Sequence, residues 1–559
     1  MASKKNFGCF KILMILFIVL MAMVAFWSVL NFRSGPTAGT ALVSPSVETT
    51  VITGPLDSNG DVDYAQALND KYSEGVTSEN NSLAKIMEAI GPVVREKALP
   101  IEFFEKLGIA PLSEDGNYFV EFEKWPVGES PQLESVQNAR QAQLHPWSPS
   151  QFPKVEKWYQ QNKPAMEMVR EGLSRSYYYL PLASNQSNTV WEMDLTVISS
   201  LPSMNQYFSI SAMRHLEKGE TEQALNEVLE MYRLGSHIGR GSTIVEELMA
   251  IGLFADASEA AKTIFSSQKS SSAELRNFLR RLDQIPAIDG LGKRIEYAER
   301  YAMLDAIVAL GRGDTNQFAS LMGGQGGSQE GNSLAKIGLK TVDFEQALLV
   351  ANEWFDTLIE SAKVENDLER LKAFENYDAL VSQKENEVAS LVNLSKTLIG
   401  GRQVKGQLVG EFLICMFTPA CGFVIEKEVR HKATLKMVKI AAAAAAYKAD
   451  QGKYPKTLDL LTPTYLAKPL LDPFSNEAFE YRPLEQGIVL SSVGIGGADD
   501  GGPDNFMLSD LVLYWGVKAG SKEATELGLL VDPFLSVDKE TMEDATDGKS
   551  NEQNNEQNN

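Results

Sequence analysis

The chain has 559 residues, 44% of them hydrophobic and 23% charged, and a formal net charge of −22. That length points to about three or four domains, and the apolar content is enough for packed cores. The negative balance repels phosphate backbones and anionic lipid, which disfavours nucleic acid as a partner and broad adhesion to a membrane surface.

Ile12 to Leu30 is uncharged and almost wholly apolar. As a helix it spans about 28 Å, close to the hydrocarbon thickness of a bilayer. Lys4, Lys5 and Lys11 precede it and Arg33 follows. The positive-inside rule then puts residues 1–11 in the cytoplasm and the body beyond the membrane. The run ends in Phe26-Trp27-Ser28-Val29-Leu30, a poor cleavage site, so an uncleaved signal-anchor is expected rather than a removed signal peptide.

Residues 31–63 are rich in Ser, Thr, Pro and Gly and read as a flexible stalk. Within them, Asp57-Ser58-Asn59-Gly60-Asp61-Val62-Asp63 begins like a calcium loop. Val62 and Leu68 then occupy the places of the turn glycine and the bidentate glutamate, so a polar turn capping the next helix is expected.

Residues 64–312 predict a mostly helical domain. Asn81 or Ser82 caps a helix over Leu83, Ile86, Met87 and Ile90, and Pro92 and Pro100 break the pattern. Tyr118 to Glu123 partly alternates and predicts a short strand. Met204–Lys218, Thr221–Ile238, Thr243–Phe265 and Ala273–Leu282 carry apolar residues at helical spacing. The turn at Gly219 is similar to the centre of a tetratricopeptide repeat, but no 34-residue period accompanies it, so a simple helical hairpin is expected. Residues 313–333 read as a Gly-rich linker. Residues 334–425 return to helix, and Phe412–Ile425 is apolar but too short to span a bilayer. Cys415 and Cys421 lie close enough in sequence either to pair or to stay as two buried thiols.

The most patterned segment starts at Glu426. An Ala-rich helix runs to Asp450, with Ala441 to Ala446 as a close-packing face. After it come Gly452-Lys453-Tyr454-Pro455, Asp472-Pro473-Phe474-Ser475, Phe479-Glu480-Tyr481-Arg482, Ile488-Val489-Leu490-Ser491 and the acidic stretch Ala498-Asp499-Asp500-Gly501-Gly502. This order resembles the globular domain of the major pseudopilins of type II secretion, whose helix ends in Tyr-x-x-x-x-Gly-x-Tyr-Pro, here Tyr447 to Pro455. The resemblance covers residues 426–515 and implies a small α+β domain over 426–533. It also implies calcium binding by the acidic loop, most readily at Asp504 and Asp510 and then at Asp499 and Asp500. The whole chain is similar to bacterial envelope proteins that carry this module.

A pseudopilin places an acidic residue within its apolar stem, whereas Ile12–Leu30 has none, so the anchor is read as a plain tether. Residues 534–559 are acidic and polar, and disordered by composition.

For catalysis the sequence offers little. His145, His215, His237 and His431 form no zinc-protease spacing. Glu246 and Glu247 are adjacent on a helix, where neighbours do not face each other, and are expected on a solvated face. His237 near Arg240 is expected to be a satisfied histidine rather than a base. The expectation is therefore a mainly α, single-pass protein of the bacterial cytoplasmic membrane with its body in the periplasm. It is non-catalytic, with envelope or secretion proteins as partners and calcium as its one cofactor. A component of type II secretion or pilus assembly is the first alternative. A divergent hydrolase using His237 with distant carboxylates is the second.

Overall fold

The structure is a computed structural model. It describes residues 40–494 and 511–515, apart from 126–131, 184–188, 191–194, 314–338, 390–399, 419 and 486. The anchor, most of the Gly-rich linker, the acidic loop bearing Asp499, Asp500, Asp504 and Asp510, and the tail lie outside the described residues. What is described is mainly helical, as expected. The chain divides into two compact units: residues 1–261 with 277–435, and residues 262–276 with 436–559.

The first unit opens with α1 (Tyr64–Tyr72) and α2 (Ser82–Ile90). A hairpin of β1 (Val93–Val94) and β2 (Lys97–Ala98) leads to α3 (Ile101–Leu107). Next come α4 (Gln132–Leu144), α5 (Pro153–Leu173), α6 (Leu201–Glu217), α7 (Thr221–Ile238), α8 (Ile244–Ser266) and α9 (Ser272–Leu282). A short α10 (Leu291–Arg294) passes through a π turn (Ile295–Glu299) into α11 (Arg300–Arg312). α12 (Phe344–Ala362), α13 (Asp367–Val388), α14 (Arg402–Phe417) and α15 (Ala420–Gln451) follow. The unit boundaries fall inside α8, α9 and α15, so residues 420–435 of α15 belong to the first unit and 436–451 to the second.

Asn81 caps α2 through its side chain, and Asp63 caps α1 by accepting from Gln66 N at 2.8 Å. The calcium-like stretch is thus the polar turn expected, with Asp57 Oδ1 accepting from Asn59 N and Asp61 N. α6 and α7 pack as a hairpin around Gly219. α14 lies against α12 at glycines: a Cβ on Gly406 would meet the Asp343 carbonyl oxygen at 2.0 Å, and one on Gly410 the Ala347 oxygen at 2.8 Å. Only glycine permits so close a backbone approach.

Two expectations fail here. Residues 40–63 are not a free stalk. Arg312 Nε donates to Asp61 Oδ2 at 2.6 Å, Asn352 Nδ2 donates to the carbonyls of Glu48 and Thr49, and Tyr64 Oη donates to the Thr50 carbonyl. The segment is held by polar bonds to its backbone, so hydrophobic periodicity gives no sign of it. Tyr118 to Glu123 is not a strand, and Phe122–Lys124 is a 3-10 turn. Val120 has its N–H taken by Asn162 Oδ1 at 2.8 Å and its carbonyl by Trp158 Nε1 at 2.7 Å, so side chains of α5 occupy the groups a ladder would need.

Among the described residues one helical stretch, Arg402–Gln451, is long and apolar enough to cross a membrane by length and composition. However, 69% of its most apolar window is buried, the character of a core helix. Phe412 to Cys415 and Cys421, Val424 and Ile425 lie in the core, with Phe423 exposed. Cys415 and Cys421 are free thiols.

In the second unit α15 ends at Gly452, which is left-handed at φ +75°. Ala441 to Ala444 and Ala446 are buried. β3 (Glu480–Pro483), β4 (Ile488–Ser492) and β5 (Leu511–Trp515) form an antiparallel sheet in the order β3-β4-β5, with Tyr481 opposite Leu490 and Leu490 opposite Leu513. Pro483 is tolerated because β3 is an edge strand. Asp472 ties the preceding turn to the end of β4. It accepts from Phe474 N at 3.0 Å, Ser492 Oγ at 2.9 Å and Val493 N at 3.0 Å, and is 1% exposed. Asp472→Ala orphans these donors, and a cost of about 2–4 kcal/mol is expected, read as a lower denaturant midpoint.

Candidate functional site: a charged interior in the helical unit

The start of α8 is built by a capping box. Thr243 Oγ1 accepts from Glu246 N at 3.2 Å, and Glu246 Oε2 accepts from Thr243 N at 3.0 Å. Tyr178 Oη donates to Glu246 Oε1 at 3.1 Å. Gly241 makes room for this carboxylate, since a Cβ there would lie 2.2 Å from Oε1. Glu246 and Glu247 are both 0% exposed, which overturns the solvated face expected for them. Their divergence is as expected of neighbours on a helix: Glu246 turns to its cap and Glu247 to Arg294.

Arg294 is also fully buried. Its Nε donates to the Thr243 carbonyl at 3.0 Å, Nη2 to the Gly239 carbonyl at 2.5 Å, and Nη1 to the Asp289 carbonyl. Nη1 also lies 3.2 Å from Glu247 Oε2. One guanidinium therefore fastens the loop before α8 to the loop before α10. The π turn that follows brings Glu299 Oε1 to Ile244 N at 3.3 Å.

Glu428 approaches from α15 and is 1% exposed. It accepts from Leu291 N at 3.0 Å and Arg370 Nη2 at 3.0 Å, and pairs with Lys432 at 2.8 Å. Asp367 pairs with the same arginine and lysine. Neither Glu247 oxygen has a hydrogen-bond donor among the described residues.

The charges are unequal in their effects. Burial pushes Glu247 up to about 8, against the lowering pull of Arg294 and with a further rise from Glu428. Burial also raises Glu428, but Lys432 and Arg370 outweigh it and hold Glu428 below the usual range. The two carboxyls are thus biased in opposite directions: burial favours the neutral form of Glu247, and Lys432 and Arg370 favour the ionised form of Glu428. Protonation gives one Glu247 oxygen a hydrogen to donate toward Glu428 and leaves the other an acceptor without a donor. Burial raises Glu246 too, opposed by the Thr243 amide and hydroxyl.

His431 follows Glu428 by three residues, a spacing used for metals in helical bundles. Here its ring stands edge-on to Phe254, centroids 4.4 Å apart, and burial lowers it to about 4. No group of three His, Cys, Asp or Glu among the described residues is arranged to hold a metal. Burial pushes the Cys415 thiol up to about 12 and raises Cys421 as well, so both are poor nucleophiles. His237 is satisfied, as expected: Nδ1 accepts from Arg240 Nη2 at 2.7 Å and Nε2 donates to the Leu173 carbonyl at 3.2 Å. Burial, then Arg240, lowers it to about 4. His215 pairs with Glu220 at the α6–α7 turn, away from this set.

The arrangement fastens helices, and its burial favours a proton on Glu247. Glu246, Glu247, Arg294 and Glu428 are each at most 1% exposed, so a substrate has no route to them in this conformation. The chain matches no family model, no curated protein and no solved structure.

Proposed function

We propose that the chain is a single-pass protein of a bacterial cytoplasmic membrane, with its body in the periplasm. The body is a non-catalytic binding and scaffolding unit that carries a pseudopilin-like module. The tether rests on the apolar run Ile12–Leu30 and the lysines before it. A structural role for the helical unit draws support from the sealed charged interior, whose ionisable groups are engaged with one another. The observation that carries the module is the element order of the second unit. A long helix ends at Gly452, Tyr454-Pro455 and the Asp472 turn follow, and β3-β4-β5 close an antiparallel sheet. Calcium at Asp499, Asp500, Asp504 and Asp510 belongs to this proposal.

Alkaline carbonate washing of membranes is expected to retain the full chain and release one lacking residues 1–33. Release of the full chain contradicts the tether. Millimolar calcium is expected to raise the unfolding temperature of the full chain, and to fail when Asp504 and Asp510 are both replaced by alanine. An unchanged temperature removes the calcium loop. The same helix–sheet order favours a place in type II secretion or pilus assembly as the second reading. Crosslinking in native membranes separates the two, since only the second yields secretion subunits.

A further inference from the structure

Residues 40–63 join the first unit at one end of a group of packed helices. Arg312, in the last turn of α11, donates from Nη2 to the Thr40 carbonyl at 2.7 Å and from Nε to Asp61 Oδ2 at 2.6 Å. Asp61 is buried, and its Oδ1 accepts from Leu42 N at 2.7 Å. Leu42 lies against Gly311, where a Cβ would run into both Leu42 and Phe344. Charge-assisted bonds and a steric fit thus pin the segment at Thr40 to Leu42.

Helix ends gather at the same place. α11 finishes there at Arg312, and α12 starts there at Phe344, beside Gly311. α11 runs back along α12, with Arg300 reaching Asn352 at 3.0 Å and Asp356 at 2.8 Å. α14 starts next to α12, since Asp343 N donates to the Arg402 carbonyl at 3.1 Å. The two run parallel, Gly406 against Asp343 and Gly410 against Ala347. Arg402, Gln403 and Val404 are exposed at this end. Among the described residues the Arg402 guanidinium bonds only the Val342 carbonyl. Around the starts of α12 and α14 the exposed charges are Lys340, Arg402 and Glu345, a positive balance within a chain of −22.

Chain length decides what this end faces. Only Ser34 to Gly39 separate Arg33, just past the apolar run, from Thr40. Fully extended, that link reaches about 25 Å. α12 has 19 residues, so its other end, at Ala362, lies about 28 Å farther off. A free stalk through residue 63 would let the body drift and turn. Docked at Thr40, the chain has no such slack.

We propose that the end of the first unit formed by Thr40 to Leu42, Arg312 and the starts of α12 and α14 is a membrane-facing surface, held against phospholipid headgroups by the docked segment. Arg402 and Lys340 suit lipid phosphates. The inference rests on the proposed tether at Ile12–Leu30.

The test places the full chain in vesicles of phosphatidylethanolamine and phosphatidylglycerol that contain a lipid with a nitroxide on its headgroup. Cys9→Ser removes one thiol, and Cys415 and Cys421 are buried. A fluorophore is then attached at Gln403→Cys, at the proposed surface, or at Glu360→Cys, in the last turn of α12; both positions are exposed. Quenching at 403 is expected to be at least threefold that at 360. Arg312→Ala, which frees Thr40 and Asp61, is expected to abolish the excess while the chain still floats with the vesicles. Equal or reversed quenching in a chain that floats overturns this inference and leaves the tether standing. So does an excess that Arg312→Ala leaves unchanged. A chain that does not float overturns the tether and this inference with it.

Discussion

Arg294→Met is expected to destabilise the protein by about 3–5 kcal/mol, the range for breaking a buried ionic group on one side. The carbonyls of Gly239, Thr243 and Asp289 each lose the guanidinium as a donor, while Gly239 keeps the amide of Asp289 and Thr243 that of Glu247. Glu246, Glu247 and Glu299 lose the cation that offsets their burial. Arg294→Lys keeps the charge but has no planar fork with which to reach several carbonyls at once. It is expected to recover less than half of the loss. Denaturant midpoints of the two variants check this, and a methionine variant within 1 kcal/mol (roughly the scatter of ordinary substitutions) contradicts it.

The contribution of Glu247 to stability is expected to fall as the pH rises from about 5 to about 8, so the stability of Glu247→Gln relative to the parent is expected to climb over that range. The sign follows from where the proton is held. Burial pushes Glu247 up to about 8 in the fold, above the ordinary glutamate range, so the native state binds the proton more tightly than the unfolded chain. Its stabilising effect is full below the unfolded value and is lost as the pH passes through the folded one. The total is on the order of 2–4 kcal/mol. Glutamine carries no charge at any pH and still donates to Glu428. The variant is therefore expected to resemble the parent near pH 5 and to exceed it in stability at pH 9.

Helices were the legible part of this chain. Thr221–Ile238 has the same bounds by periodicity and in the structure, and α6, α8 and α9 agree within a few residues, because an amphipathic stripe is written locally. The charged interior was not legible. Glu246 and Glu247 look like any acidic pair on a helix, and burial depends on Arg294 and Glu428, which stand far off in sequence. One local sign was present: Thr243-x-x-Glu246 is a capping box, which fixes the direction of Glu246 without any tertiary knowledge. Glu428-x-x-His431 likewise stands out only once its helix is known to be buried. The segment 40–63 misled for another reason: its polar composition reads as freedom, while Arg312 and Asn352 bind its backbone and side chains from elsewhere in the chain.

Glu246, Glu247, Arg294 and Glu428 are sealed inside the helical unit and serve its structure, and their burial favours a proton on Glu247. Infrared difference spectra of the parent and Glu247→Gln at neutral pH test this most directly. The account predicts a carbonyl band from a protonated carboxylic acid that is missing in the variant and shifts only slowly after transfer to heavy water. Absence of the band in the parent contradicts the resident proton. Immediate exchange means the interior is open to solvent, and restores the hydrolase alternative.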